Sequence, residues 1–172
     1  MEQVVLVNER DEETGTAEKL HAHEQGLLHR AISVFIYSSE GKLLLQQRAN
    51  GKYHSAGLWT NTCCSHPRPG ETPLAAAGRR LREEMGISTE LKHVGELLYR
   101  AEFGNGLIEH EYDHLFTGVS DDIPTPDPNE VQSYKWVFPE ELQSWMHEAP
   151  EEFTYWFRVL IEKGKLKLKR ES

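Results

Sequence analysis

Gly70-Glu71-Thr72-Pro73-Leu74-Ala75-Ala76-Ala77-Gly78-Arg79-Arg80-Leu81-Arg82-Glu83-Glu84-Met85-Gly86-Ile87 carries the clearest structural signal in the chain. Thr72 is a side-chain cap, Pro73 suits the first helical position, and Gly86 supplies a stop. Between them Leu74, Ala77, Gly78, Leu81 and Met85 fall on one stripe, which predicts a helix with that face in the core. Arg79 and Glu83, and Arg80 and Glu84, are four apart and spaced to pair across a turn.

Outward from this helix the pattern changes to short β-rich runs. Ile32–Tyr37 and Lys42–Gln47 flank Ser38-Ser39-Glu40-Gly41 and read as a hairpin. Trp59–Cys64 is a further extended segment, closed by His66-Pro67-Arg68-Pro69-Gly70. Beyond the helix, Val94–Phe103 and Ile108–Val119 read as two long strands around Gly104-Asn105-Gly106, and Tyr134–Phe138 as another. Near the start Val4–Val7 is a strand, and Glu12–Thr16, with Gly15, reads as a turn before Ala17–Leu20. Pro124–Pro128 is a surface loop. Helices are expected over Pro139–Glu148 and Pro150–Lys163, the latter with Phe153, Trp156, Phe157 and Leu160 inward, and Lys163–Arg170 as a solvated basic tail. Strands interleaved with helices predict an α/β (α+β) fold, a mixed sheet flanked by helices, in one domain spanning residues 1–172.

The bulk numbers agree. At 172 residues the chain suits one sizeable core, and 38% hydrophobic residues are those of a globular protein. A net charge of -9 disfavours nonspecific association with nucleic acid or anionic membrane, so a phosphate-bearing ligand would need a local basic pocket or a metal. No apolar run approaches the length of a membrane span, and Met1–Asn8 lacks the charged and apolar regions of a signal peptide. The only cysteines, Cys63 and Cys64, are neighbours and poorly placed to bridge each other, which points to a reducing compartment. A cytoplasmic monomer is the expectation.

Several side chains could carry chemistry. His23 and His29 precede the first hairpin, and His66 follows Cys64 by two. Glu109 and Glu111 sit two apart in a strand and so share a face. Three imidazoles and two carboxylates can fill most of an octahedral shell around a divalent ion. From spacing alone, solvated histidines and the polar face of an edge strand explain the same residues.

The region around the helix resembles the Nudix box, G-x5-E-x7-R-E-U-x-E-E-x-G-U with U a bulky aliphatic, through Glu71, Arg79, Leu81, Glu83, Glu84, Gly86 and Ile87. Ser65 stands where the box begins with Gly, and Arg80 replaces the first Glu of its R-E-U-x-E-E core. In the hydrolases that carry the box, its glutamates gather metal ions around a diphosphate. A guanidinium there weakens such a cluster but can hold a phosphate directly. The departures resemble one subfamily. Trp59-Thr60-Asn61-Thr62-Cys63-Cys64-Ser65-His66-Pro67 is similar to the W-T-N-x-x-C-x-H-P signature of the type 1 isopentenyl-diphosphate isomerases, and Tyr99-Arg100-Ala101 and Glu109-His110-Glu111 resemble their Y-R-A and E-x-E motifs. The likeness runs from about Lys19 through Trp156.

The resemblance implies a Nudix-type fold, a small isoprenoid diphosphate as substrate, and a metal-dependent isomerisation between isopentenyl and dimethylallyl diphosphate. It implies His23, His29, His66, Glu109 and Glu111 as ligands of a divalent ion (Mn, Zn or Mg), and Glu84 as the carboxylate holding Mg against the substrate diphosphate. Lys19, Arg48, Lys52 and Arg80 match phosphate-contacting cations. Cys64, Glu111, Tyr99 and Trp156 surround the reacting alkene: Glu111 as acid, relaying through Tyr99, Cys64 as a thiolate base, and Trp156 shielding the cation with its indole face. His23 lies one residue closer to His29 than the family spacing, which keeps His21 as its alternative. The competing readings are a Nudix hydrolase of a diphosphate-containing substrate and a silent binding module.

Overall fold

The computed structural model describes residues 2–52 and 54–164. The basic tail expected beyond Gly164 lies outside the described residues. Among the described residues nine strands and four helices run in the order β1 (Gln3–Val7), β2 (Glu13–Glu18), α1 (Lys19–Gln25), β3 (His29–Tyr37), β4 (Leu43–Arg48), β5 (Trp59–Thr60), β6 (Cys63–Ser65), α2 (Pro73–Met85), β7 (Lys92–Glu102), β8 (Ile108–Val119), β9 (Val131–Val137), α3 (Pro139–Glu148) and α4 (Tyr155–Glu162).

Helix α2 begins and ends as its sequence dictates. Thr72 Oγ1 accepts the N–H of Ala75 at 3.1 Å, and Gly86 closes the helix in the left-handed region at φ 66°. A Cβ on Gly86 would also lie 2.8 Å from Cβ of Thr125, so that position needs glycine twice over. The buried stripe is shifted from expectation: Ala76, Ala77, Leu81, Glu84 and Met85 face inward, and Leu74 is exposed, because it sits in the first turn beyond the edge of the sheet-packed face.

Strand β3 organises the sheet. It pairs in parallel with β8 along its whole length, from His29↔Glu111 to Tyr37↔Val119. Its other edge is shared by β1 at His29, β6 at Ile32–Val34, and β4 at Tyr37. The expected β3–β4 hairpin therefore exists only at its turn. After the single pair Tyr37↔Leu43 the strands separate; β6 takes the vacated edge of β3, and β4 pairs with β5 and β9. The extended Trp59–Cys64 segment is correspondingly two short strands, β5 and β6. Residues expected to form a turn, Glu13–Thr16, lie in β2, where Gly15 pairs opposite Leu6. The last helical segment breaks at Phe153–Thr154, leaving Pro150–Glu152 as a 3-10 turn before α4.

Both faces of β3 are covered, as expected of a strand in a parallel pair. Ile32, Val34 and Ile36 join Leu44, Ala77, Leu81, Met85 and Phe116 under α2. On the opposite face Phe35 joins Leu43, Leu45, Leu115, Phe153, Phe157 and Leu160 under α3 and α4. The result is a single α+β domain of three layers. Period-two alternation also decides the fate of the paired cysteines: Cys63 is packed beneath α2 and Cys64 faces the other side.

Candidate active site

The α4-side face of β3 and β8 becomes polar towards the start of both strands. His29 and Ser33 on β3 lie beside Glu111 and Asp113 on β8, and β6 brings Cys64 opposite Ser33. Helix α1 adds His23, the segment after β6 adds His66, β7 adds Tyr99, and α4 adds Trp156. A cleft of about 100 Å³ opens here, lined by Lys19, Ser33, Arg48, Lys52, His54, Cys64, His66, Arg80, Tyr99, Glu109, Glu111, Glu130 and Trp156.

His23, His29, His66, Glu109 and Glu111 are all buried and each offers a ligand atom within 4.8 Å of all the others. His23 Nδ1 lies 2.7 Å from the Lys19 carbonyl and His29 Nδ1 2.9 Å from that of Leu27, so both rings donate Nδ1–H to backbone and turn Nε2 inward. Those Nε2 atoms lie 3.0 Å from Glu109 and 3.2 Å from Glu111, and His66 Nε2 lies 2.7 Å from the same Glu111 oxygen. Acceptor thus faces acceptor, an arrangement that a cation among them stabilises. Adjacent ligands of an octahedral ion with bonds of about 2.1 Å are about 3 Å apart, matching these separations. The donor set fits a divalent metal, and the orienting carbonyls are the outer partners such ligands use. His21 is exposed and takes no part; the turn of α1 aims His23 instead.

Burial alone would raise Glu111, but the imidazoles of His29 and His66 beside it outweigh that and hold the carboxylate well below the usual range. Tyr99 donates its hydroxyl to the other Glu111 oxygen. Burial and the neighbouring Glu111 charge push the Tyr99 phenol well above its ordinary value, so the proton resides on Tyr99. Across the cleft, Cys64 donates S–H to Asn61 Oδ1 at 3.0 Å and accepts from Trp156 Nε1 at 3.1 Å. Burial and the charge of Asp113 push the thiol up to about 12, against the pull of Ser33, Asn61 and Trp156. That shift favours the thiol over the thiolate that the resemblance implies for the base.

The cations collect at the rim. Lys52 pairs with Glu130 at 2.6 Å, and Arg80 contacts Glu84 at 2.9 Å and Glu130 at 3.8 Å. Lys19 lies 3.7 Å from Glu2. Arg48 is stacked 5.2 Å from the Trp156 ring, so one indole face already carries a cation. The Nε–H groups of Arg48 and Arg80 are buried without an acceptor. Glu84 does not line the cleft: Arg80, Gln46 and Cys63 occupy its carboxylate, because α2 turns that position under the sheet.

Three groups escaped the sequence reading. His54 donates to Glu109 at 2.7 Å and stacks on Phe103 at 4.6 Å; Asp113, hydrogen-bonded by Ser33 at 2.6 Å, is raised by burial and Glu111; Glu130 holds the rim cations. Asp113 was legible from its period-two relation to Glu109 and Glu111, whereas His54 and Glu130 lie in segments without regular pattern.

The NUDIX domain family matches residues 27–157. Isopentenyl-diphosphate Delta-isomerase 2 of Aromatoleum aromaticum is 57% identical over 136 residues, 79% of this chain and 72% of that protein. The chain belongs to the Nudix family, in its isopentenyl-diphosphate Delta-isomerase branch. A second member of that branch, from Pectobacterium atrosepticum, is 58% identical over 78% of this chain and 75% of its own length. Among solved structures, DR0079 from Deinococcus radiodurans superposes with a TM-score of 0.71 at 23% identity, over 86% of this chain and 90% of that one, a likeness of fold alone. Within this Nudix fold the box helix is α2, and the box residue replaced by arginine, Arg80, faces the cleft.

Proposed function

We propose that this chain interconverts isopentenyl and dimethylallyl diphosphate, by protonation of the alkene to a tertiary carbocation and removal of a proton from the neighbouring carbon. The observation that carries the reading is one cleft with two proton-bearing groups on opposite walls, Cys64 and the Tyr99–Glu111 pair, beneath two buried arginine N–H groups that lack acceptors. A diphosphate supplies those acceptors, and Lys19, Lys52, Arg48 and Arg80 hold it. Its five-carbon tail then lies over Trp156 and between the two walls.

The reaction towards dimethylallyl diphosphate starts from the tautomer with Cys64 as the thiolate and the proton on the Tyr99–Glu111 pair: the pair protonates the alkene and Cys64 takes the proton from the neighbouring carbon, leaving the thiol and an ionised Glu111, from which the reverse reaction runs. A thiol with so high a pKa leaves a strongly basic thiolate, and the Trp156 N–H at Sγ stabilises it. The indole excludes water from the cation and attracts it through its π system.

The five His and Glu side chains hold a divalent ion, Mn, Zn or Mg. When bound it supplies charge that fixes Glu111 and keeps its free oxygen turned to Tyr99. A second ion, Mg, accompanies the diphosphate. All these groups come from one chain, so a monomer suffices, and the unbridged cysteines suit a cytoplasmic setting. Among the described residues no helix is long and apolar enough to cross a membrane.

Proton NMR of the metal-loaded protein with isopentenyl diphosphate and Mg in deuterated water tests the proposal. Dimethylallyl signals with deuterium incorporation are expected. Unchanged substrate, or release of phosphate in place of isomerisation, overturns it in favour of a binding module or a hydrolase.

A further inference from the structure

The opposite face of β8 carries a second convergence of ligand atoms. Glu96 on β7 lies directly across from His114 on β8. His93 is three residues before Glu96, and on a regular strand the two would face opposite sides. The register shifts between His93 and Gly95, and this bulge brings both side chains to the same face. His93 Nε2 then lies 3.2 Å from His114 Nδ1 and 3.5 Å from Glu96 Oε1, with one ligand atom of each residue within 4.8 Å of the other two.

His114 is oriented from behind. Its Nε2 donates to Asp11 Oδ2 at 2.8 Å, which leaves Nδ1 as a lone pair turned towards His93. Asp11 is itself clamped by Arg30, whose Nε bonds Oδ1 at 2.8 Å and whose Nη2 bonds the Asp11 carbonyl at 2.7 Å. A carboxylate fixing the tautomer of a histidine is the outer support that metal-binding imidazoles use. The separations also discriminate. Ligands of a tetrahedral zinc, with bonds of about 2.0–2.1 Å, lie about 3.3 Å apart, between the two distances observed.

We propose a second, surface metal site formed by His93, Glu96 and His114, taking a borderline divalent ion such as Zn2+ and leaving its fourth position to water. Two imidazoles and one carboxylate disfavour Mg2+, which prefers oxygen and near-octahedral geometry. The bound ion ties β7 to β8 and, through Asp11, to the turn before β2.

Calorimetric titration with Zn2+ tests this on wild type, His93→Ala and Glu96→Gln, each carrying one equivalent of Zn2+ beforehand, without Mg2+ or substrate. Both altered side chains are 43% exposed, so the variants keep the fold, checked by circular dichroism. Wild type is expected to bind one equivalent more than His93→Ala, or to bind it about tenfold tighter or better, with Glu96→Gln between them. Co2+ in place of Zn2+ gives wild type visible d–d absorption that His93→Ala loses. Turnover without excess zinc stays the same in His93→Ala. Identical stoichiometry and affinity in all three proteins, or no uptake beyond the first equivalent in wild type, overturns the site.

Discussion

The floor and the rim of the cleft are built on different principles. The floor is built mainly on paired strands, His29 opposite Glu111 and Ser33 opposite Cys64, so those separations follow from ladder geometry, with His23 and His66 added from α1 and the segment after β6. Rim cations come from the start of α1, the end of β4, the loop after it and α2; Lys19, Lys52 and Arg80 are held by ion pairs to Glu2, Glu84 and Glu130, and Arg48 is stacked on Trp156. A rigid floor suits proton transfer, where small displacements matter; an ion-paired rim suits an anion that replaces one carboxylate partner by another.

The sharpest way to break this comparison is within one dipeptide. Cys64→Ala on the floor is expected to lower kcat by about 10³-fold or more, while Cys63→Ala, under α2, leaves activity within roughly threefold. Equal activity of the two variants by NMR assay removes Cys64 from the proton path. Next, a strong chelator should strip the five-ligand cluster, lower activity by about 10²-fold or more and lower Tm, both restored by Mn or Zn; activity indifferent to complete metal removal, confirmed by elemental analysis, contradicts the floor as drawn.

Rim substitutions should separate from these kinetically. Arg80→Ala and Lys52→Ala are expected to raise KM about 10–100-fold while kcat changes roughly threefold or less. A loss confined to kcat would make the rim part of the proton machinery. The smallest effect lies outside both regions, at Glu71, which accepts from Arg79 at 2.8 and 2.9 Å. Arg79 holds Glu71 below its ordinary value of 4.5, so its stabilisation is complete above that pH and is lost as pH falls through the depressed value. Glu71→Gln should cost about 0.5–1 kcal/mol at neutral pH by chemical denaturation, with the difference from wild type vanishing in acid.

Much of the floor was legible because strand period and motif spacing specify which side chains share a face. Glu109 and Glu111 needed only alternation, and Thr72, Pro73 and Gly86 needed only local backbone chemistry. The alignment from Lys19 already favours His23 over His21, and the turn of α1 against β8 supplies the physical reason. His54 and Glu130 were hidden because their partners lie far along the chain, whereas the Arg80–Glu84 pair follows from its four-residue spacing.

By itself, the amino-acid sequence determined the ends of α2, the alternation of the long strands, the residues eligible for the site and the family they resemble. These are decided by contacts within a few residues. Only the tertiary structure decided that β2 is a strand, that β3 and β4 part after one pair, that Asn61 and Trp156 flank the Cys64 sulfur, and that one face of β8 serves a buried centre while the other gathers His93, Glu96 and His114. Strand partners, bulges and desolvation are set by segments distant in the chain, and a local pattern specifies the face of an element without specifying what that face will meet.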